Sequence, residues 1–486
     1  MLFNSTIFAA VFLPVVVAIY LFISAFFSKE VRHWWLIFAS LLFYTWWFPP
    51  NTVLLLCSIL INYWVGIRLQ RGTVHARLLL VLGVTINLGI IALFKYSKFL
   101  LGSFGVTNLP VWIEGIALPL AISFYTFQQI TFLVDSHRQR VKSTSFRDYM
   151  LYVVFFPQLI AGPIVHHSDV IPQFKAQGRS YDLRMGIMGG CIFCIGMAKK
   201  VIIADGMAEI ASPVFDGVAA GMSVDFYQAW AAALGYTLQL YFDFSGYSDM
   251  AIGIGLIFNI KLPQNFNSPY KAGSIIEFWK RWHMTLSRFL RDYLYIPLGG
   301  NRRGCVRRYR NLVITMLLGG LWHGAAWTFV AWGGWHGILL AINHIWRGFC
   351  SNCDRASILS RLGKLFGRPM TLLAVVVGWV LFRANSFGAA GDILAAMFGF
   401  GEGGVVHSYS DHITVLAGIG LEWMLIVIGG IIVMCLPNSI AIGRVLQKTR
   451  IELLSFVFGC LAFVALACLL LNLSRAGASE FIYFNF

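Results

Sequence analysis

The sequence predicts an all-α polytopic membrane protein. Apolar residues make up 58% of the 486 and charged residues only 12%, about half the charged share of an ordinary soluble chain. Apolar runs long enough to cross a bilayer core recur from the first residues to the last. No polar interval of domain size separates them, so one integral membrane domain over 1–486 is expected, although length alone would suggest about three soluble domains.

The first run, 7–27, follows no cationic segment and ends at no small-residue cleavage site, so it is expected to stay on as a spanning helix. Further runs fall at 34–48, 52–67, 78–94, 112–134, 149–165, 185–204, 226–242, 246–260, 311–346 (two passes or a re-entrant pair), 371–382, 413–436 and 453–473. That gives roughly 11 to 13 transmembrane or re-entrant helices. The loops 29–33, 68–77 and 137–147 are basic, and two runs lie between each consecutive pair. All three are therefore expected on the cytoplasmic side, with the N-terminus outside. The turn Phe48-Pro49-Pro50-Asn51 then faces the exterior, because paired prolines end a helix. The basic stretch 443–450 sends the last helix, and Phe486, outward.

A net charge of +16 raises nucleic acid as a partner, but the cations are scattered through short loops, where retention on the cytoplasmic side explains them. Of the nine cysteines, Cys57, Cys191, Cys194, Cys435, Cys460 and Cys468 sit in apolar runs and are expected as small buried hydrophobes. Cys350 and Cys353 form one CxxC with no second pair or histidines at ligand spacing, so no metal site is expected. Ser245 and Ser248 lack a nucleophile elbow, and no phosphate-binding loop or HExxH occurs.

Two Trp-His-Gly triplets lie in residues 317–337 (LLGGLWHGAAWTFVAWGGWHG). An ionisable group at membrane depth is costly and marks a functional site with a partner to be found. Burial of His323 among Leu321, Trp322, Ala325 and Trp327 favours the neutral imidazole, which accepts a proton from an alcohol; the alternative is a histidine bonded between helices. Gly319, Gly320 and Gly324 predict a backbone that a ligand can approach. His323 and His336 are thirteen residues apart, about 220° round an ideal helix. One uninterrupted helix cannot turn both to one site, so one of them is expected to have a packing role.

Residues 277–295 carry a charge nearly every turn, with Glu277 and Arg281, and Arg288 and Asp292, at i,i+4 spacing. They predict an interfacial or re-entrant helix that keeps its charges against protein or water. Within it, His283 has several roles open: to orient His323, to hold an acyl carbonyl, to share the proton, or to be structural only. Asp243 and Asp249, in 241–249 (YFDFSGYSD), are expected to pair with Arg281, Arg288 or Arg291. The cluster 301–310 (NRRGCVRRYR) has five arginines and no acid. It reads either as a positive-inside loop or as a dock in which Arg302, Arg303, Arg307 and Arg308 receive an anionic donor.

Segments 118–125 (LPLAISFY), 155–163 (FFPQLIAGP), 239–253 (QLYFDFSGYSDMAIG), 263–270 (PQNFNSPY), 276–301 (IEFWKRWHMTLSRFLRDYLYIPLGGN), 309–324 (YRNLVITMLLGGLWHG), Trp335-His336-Gly337 and the ending 481–486 together resemble the membrane-bound O-acyltransferase family. The likeness is greatest to its bacterial branch of the alginate O-acetylase type, and its motif-rich core is about 118–346. The resemblance implies helices around a central tunnel in which a cytoplasmic donor meets an acceptor from the other face. It implies His323 as the base and His283 as the second active-site residue, with His336, Asp243, Asp249, Arg281, Arg288 and Asp292 as supporting polar groups. It implies acetyl-CoA as the donor, with no permanently bound cofactor. It further implies the bacterial inner membrane, an exported polysaccharide such as alginate as acceptor, and a periplasmic partner of serine-hydrolase type that completes the transfer. D-alanyl transfer to teichoic acid, or acetylation of peptidoglycan or cellulose, would use the same histidine pair. A transporter or a non-catalytic export scaffold would explain the spans without chemistry.

Overall fold

The structure is a computed structural model that describes residues 1–106, 108–141, 143–176, 181–302, 304–351, 358–401, 420–475 and 478–482. Among the described residues all regular structure is helical. The chain forms two compact units: Met1–Met197 and Tyr247–Gln264 with the last helix, and Ala198–Gly246 with Asn265–Ala441. Among the described residues six helices are long and apolar enough to cross a bilayer: Ile7–Phe26, Pro49–Gln70, Ala76–Ser103, Leu183–Ala219, Leu365–Arg383 and Ile451–Ser474. A bent pair, Leu421–Cys435 with Ser439–Leu446, makes a seventh.

In the first unit the spans turn apolar side chains outward. Val11, Val15, Phe22 and Phe26 on the first helix, and Val53, Leu60 and Trp64 on Pro49–Gln70, are exposed, as a lipid-facing surface requires. Where helices meet, amides pair instead: Asn62 and Asn87 exchange bonds of 3.3 and 2.6 Å, and Gln129 donates to Ser58 at 3.1 Å. Such bonds remove the cost of burying an amide without a partner. Cys57, Cys435 and Cys460 are exposed, whereas Cys191, Cys194 and Cys468 are buried. The expectation of burial thus fails for three, because an apolar helix at depth can point its small residues at lipid.

The three basic loops meet at one end of this unit. Lys29 Nζ donates to the Lys175 carbonyl (3.2 Å), Arg147 lies 3.7 Å from Glu30, Gln139 donates to the Leu69 carbonyl (3.0 Å) and Tyr63 to that of Thr144 (3.2 Å). Two expected runs differ in kind. Residues 149–165 form the short helices Phe146–Val154 and Phe156–Leu159, buried along their length, so this run is core rather than a span. The run 112–134 is broken before Ile122–His137, where Ala121 takes a left-handed conformation (φ 62°). Runs 226–242 and 246–260, by contrast, join in one helix, Phe226–Ile257.

The second unit holds a helical hairpin, Cys305–His323 against Trp327–Ser351. Glycines let its two backbones touch. A Cβ on Gly320 would fall on the Phe329 carbonyl, and one on Gly333 on the Met316 carbonyl. Gly324 is closed by the Phe329 ring, and Gly319 has Leu290 Cδ1 at 3.1 Å from a Cβ position. The glycines expected to admit a ligand are therefore filled by protein. In the same unit the π-helical turn Lys199–Ala204 carries a buried Lys200, whose ammonium lies 2.8 Å from Asp205 Oδ1 and 2.6 Å from Asp243 Oδ1.

Gly333→Val should overpack the hairpin and cost about 1–3 kcal/mol, read as an earlier thermal transition of the detergent-solubilised protein. Lys200→Met removes the cation that two buried carboxylates share and should cost about 3–5 kcal/mol. Adding Asp205→Asn and Asp243→Asn should restore most of the loss; a triple variant no more stable than Lys200→Met would show that the ion pairs do not hold this region.

Candidate active site

Residues 277–295 do not form the single helix expected of them. Ser274 caps Ile275–Arg281 by accepting from the Glu277 N–H (3.3 Å), and the helix stops at Trp282, which is extended (φ −94°, ψ 130°). His283 is then left-handed (φ 41°, ψ 54°), a conformation that costs a non-glycine residue about 1–2 kcal/mol and clusters at functional sites. Helix Met284–Leu290 follows, and then the π-helical turn Arg291–Tyr295. The wider turn moves Asp292 out of i,i+4 register, and its carboxylate takes Arg291 (2.7 Å). Glu277 keeps its expected partner Arg281 (2.6 Å). The Gly273 N–H (2.8 Å), assisted by Arg281, holds the Glu277 carboxyl below its ordinary range.

The break is stitched to 265–267. The Asn267 N–H donates to the Arg281 carbonyl (2.9 Å) and the Met284 N–H to the Asn265 carbonyl (2.9 Å). The Asn265 side-chain oxygen takes the Thr285 hydroxyl (2.9 Å), the Thr285 N–H (3.4 Å) and His283 Nδ1 (3.0 Å). His283 is fully buried, outside the long spanning helices, and burial lowers its imidazole to about 3. Phe244 stands edge-on to it at 4.7 Å.

His323 ends its helix of the hairpin, 3% exposed, with its ring 6.4 Å from that of His283. Trp322, Trp332 and Phe382 surround it at 4.9, 5.1 and 5.4 Å. The two sequence-predicted histidines thus lie in one cluster of rings. The chain reverses between His323 and Trp327, so the 220° argument, which assumed one uninterrupted helix, does not apply. His336 also reaches the cluster, packed against the other side of Trp332 at 4.9 Å, and accepts from Trp279 Nε1 (3.3 Å).

Asp243 reaches Lys200, a partner not considered from sequence, while Arg281 goes to Glu277 and Arg291 to Asp292. Asp249 is buried. Arg288 is on Met284–Leu290, half-buried. Arg302 and Arg307 are exposed, Arg308 donates to His344, and Arg303 lies outside the described residues, as does Cys353. Arg307 and His323 stand near opposite ends of Cys305–His323, about 24 Å apart along its axis. Asn265, Thr285, Lys200, Trp332 and Phe382 were not singled out from sequence; Asn265, Thr285 and Trp332 lay in the motifs quoted above, but the histidine that Asn265 meets is eighteen positions away.

The chain resembles known proteins over most of its length. Residues 120–357 match the model of the membrane-bound O-acyltransferase family. The chain is 39% identical to the peptidoglycan O-acetyltransferase of Helicobacter pylori over 100% of its own length and 98% of that protein's. It is 42% identical to the probable alginate O-acetylase of Azotobacter vinelandii over 83% of this chain and 79% of that one. A teichoic acid D-alanyltransferase of Streptococcus thermophilus is 28% identical over 47% of the chain and 57% of the relative. A multi-pass helical membrane protein related over its whole length to one such enzyme, and over most of it to another, belongs to the membrane-bound O-acyltransferase family and is an O-acyltransferase.

Proposed function

We propose that this enzyme moves an acetyl group from acetyl-CoA, on the cytoplasmic side of a bacterial inner membrane, toward an exported polysaccharide, and that the polysaccharide is peptidoglycan. The observation that carries the choice is the end-to-end match to a peptidoglycan O-acetyltransferase. Alginate is the second reading, favoured by slightly higher identity over a shorter stretch. A periplasmic partner of serine-hydrolase type would complete transfer to the sugar. The basic end of the first unit would face the cytoplasm.

In the chemistry proposed, an acceptor hydroxyl lies between the rings of His283 and His323. Its oxygen bonds to the thioester carbonyl carbon, the carbon–sulfur bond breaks, and the proton passes through the histidine pair to the leaving thiolate. Rings packed around the pair exclude water that would hydrolyse the donor. The arginines that open Cys305–His323 stand too far from His323 to share an atom of substrate with it. They suit the phosphates of a donor whose thioester reaches the histidines.

A deletion strain complemented with wild type, His323→Ala or His283→Ala at matched membrane expression tests this reading. Each variant should lower O-acetyl content of muropeptides by about 100-fold or more. Full acetylation with His323→Ala would remove the histidine from the mechanism, and unacetylated peptidoglycan beside acetylated alginate in the wild type would reverse the choice of acceptor. Replacing Arg302 and Arg307 with Gln should raise the KM for acetyl-CoA and flatten its salt dependence, with kcat little changed; an unaltered KM would leave these arginines as topology signals only.

A further inference from the structure

The hydrogen bonds around Asn265 decide something that ring positions alone leave open. The Thr285 backbone N–H can only donate, and it meets the Asn265 side chain at 3.4 Å. The atom it meets is therefore the amide oxygen, an orientation the Thr285 hydroxyl supports at 2.9 Å. An amide oxygen cannot donate. His283 Nδ1, 3.0 Å from the same oxygen, must then carry the proton, and in the neutral ring Nε2 is left with a bare lone pair. Nε2 is buried and has no hydrogen-bond partner among the described residues. A buried acceptor left open in this way is costly and calls for an explanation. Here it sits on a ring whose centroid lies 6.4 Å from that of His323, the other histidine of the site.

We propose that Asn265, held by Thr285, is a positioning residue that fixes His283 as its Nδ1–H tautomer, so that Nε2 is the nitrogen that accepts the hydrogen bond, and then the proton, of the acceptor hydroxyl. Of the roles open to His283 from sequence, holding an acyl carbonyl is thereby removed, because a neutral ring with this tautomer has no donor left to offer. The hydroxyl donates to Nε2 and turns its oxygen toward the thioester carbon. As the carbon–oxygen bond forms and the carbon–sulfur bond breaks, the proton crosses to Nε2 and is returned to the thiolate, which leaves as a thiol. His323 closes the other side of the hydroxyl. The backbone serves the same end: the left-handed turn at His283 and the two peptide bonds to 265–267 bring Nδ1 onto Asn265. Phe244, Phe266, Trp322 and His323 supply the rings against His283, and of these only His323 titrates.

This inference rests on the acyl-transfer reading for its chemistry, but its first test does not. In the full chain in nanodiscs, labelled with 15N-histidine and assigned by difference against His283→Gln, His283 should show a protonated Nδ1 and an unprotonated Nε2 at neutral pH. The reverse pattern overturns the proposal whether or not the protein transfers acetyl groups. Turnover with acetyl-CoA supplies the second test. Asn265→Leu should lower kcat about 100-fold or more, toward the roughly 10⁴-fold that loss of the correct tautomer costs a catalytic triad, with the donor KM changed less than about twofold. Asn265→Asp, which keeps an oxygen for both Thr285 and Nδ1, should recover most of that loss. Equal kcat in Asn265→Leu and wild type, or no recovery in a membrane-inserted Asn265→Asp, would reduce Asn265 to a packing residue. If Asn265→Leu fails to insert, the spectrum of the wild type decides alone. Wild-type protein that shows the expected tautomer but transfers no acetyl group would sink the proposed function and leave the tautomer standing.

Discussion

A chain that leaves the helical path inside an apolar medium must find a partner for each peptide group it frees. At Trp282 and His283 this chain leaves it, and residues 265–267 provide the partners. Two peptide hydrogen bonds and the three contacts of one amide oxygen replace the helical ladder that the break gives up. Without them the left-handed turn at His283 would carry both its own strain and unpaired peptides. The catalytic reading depends on this arrangement, because only the broken helix sets the His283 ring opposite a residue that ends a different helix.

The rings that close the site are anchored beside themselves. Phe244 meets His283, and the preceding residue, Asp243, is tied to Lys200. Phe382 meets His323, and the following residue, Arg383, pairs with Asp216 at 2.8 Å. Trp379, one turn before Phe382, donates to the Tyr270 hydroxyl at 3.1 Å, and that hydroxyl donates to the Thr237 carbonyl at 2.7 Å. Apolar packing has no direction of its own. An ion pair or hydrogen bond next to each ring gives it one, and the buried pairs, Lys200 with Asp243 and Trp379 with Tyr270, act more strongly than they would in water.

Much of this was legible from residue types. Composition showed the membrane class, the basic loops came together as their even spacing required, and Ile7–Phe26 and Ile451–Ser474 lie where apolar length put them. What escaped has common causes. An apolar run is the same string whether it faces lipid or fills a core, so 149–165 looked like a span and Cys57 looked buried. Helical periodicity assumes the helix continues, which misled the reasoning at 277–295 and again between His323 and His336. Glycine permits close approach without saying of what, and here Gly320 and Gly333 serve the opposing backbone. Lys200 and Asp243 are forty-three positions apart, and no local pattern joins them.

The immediate surroundings of the histidine pair also bear on selectivity. Phe244, Trp332 and Phe382 offer flat, unspecific contact beside the two imidazoles. That composition fits a family whose relatives are named for peptidoglycan, alginate and teichoic acid. A site that binds a sugar through buried, directed hydrogen bonds would discriminate strongly, because a wrong acceptor would leave those groups unpaired. A site walled by aromatic rings discriminates by delivery. The acceptor is then set by what reaches the hydroxyl position, so a change of partner can change the polymer while His283, His323 and the amide that fixes the first of them stay as they are.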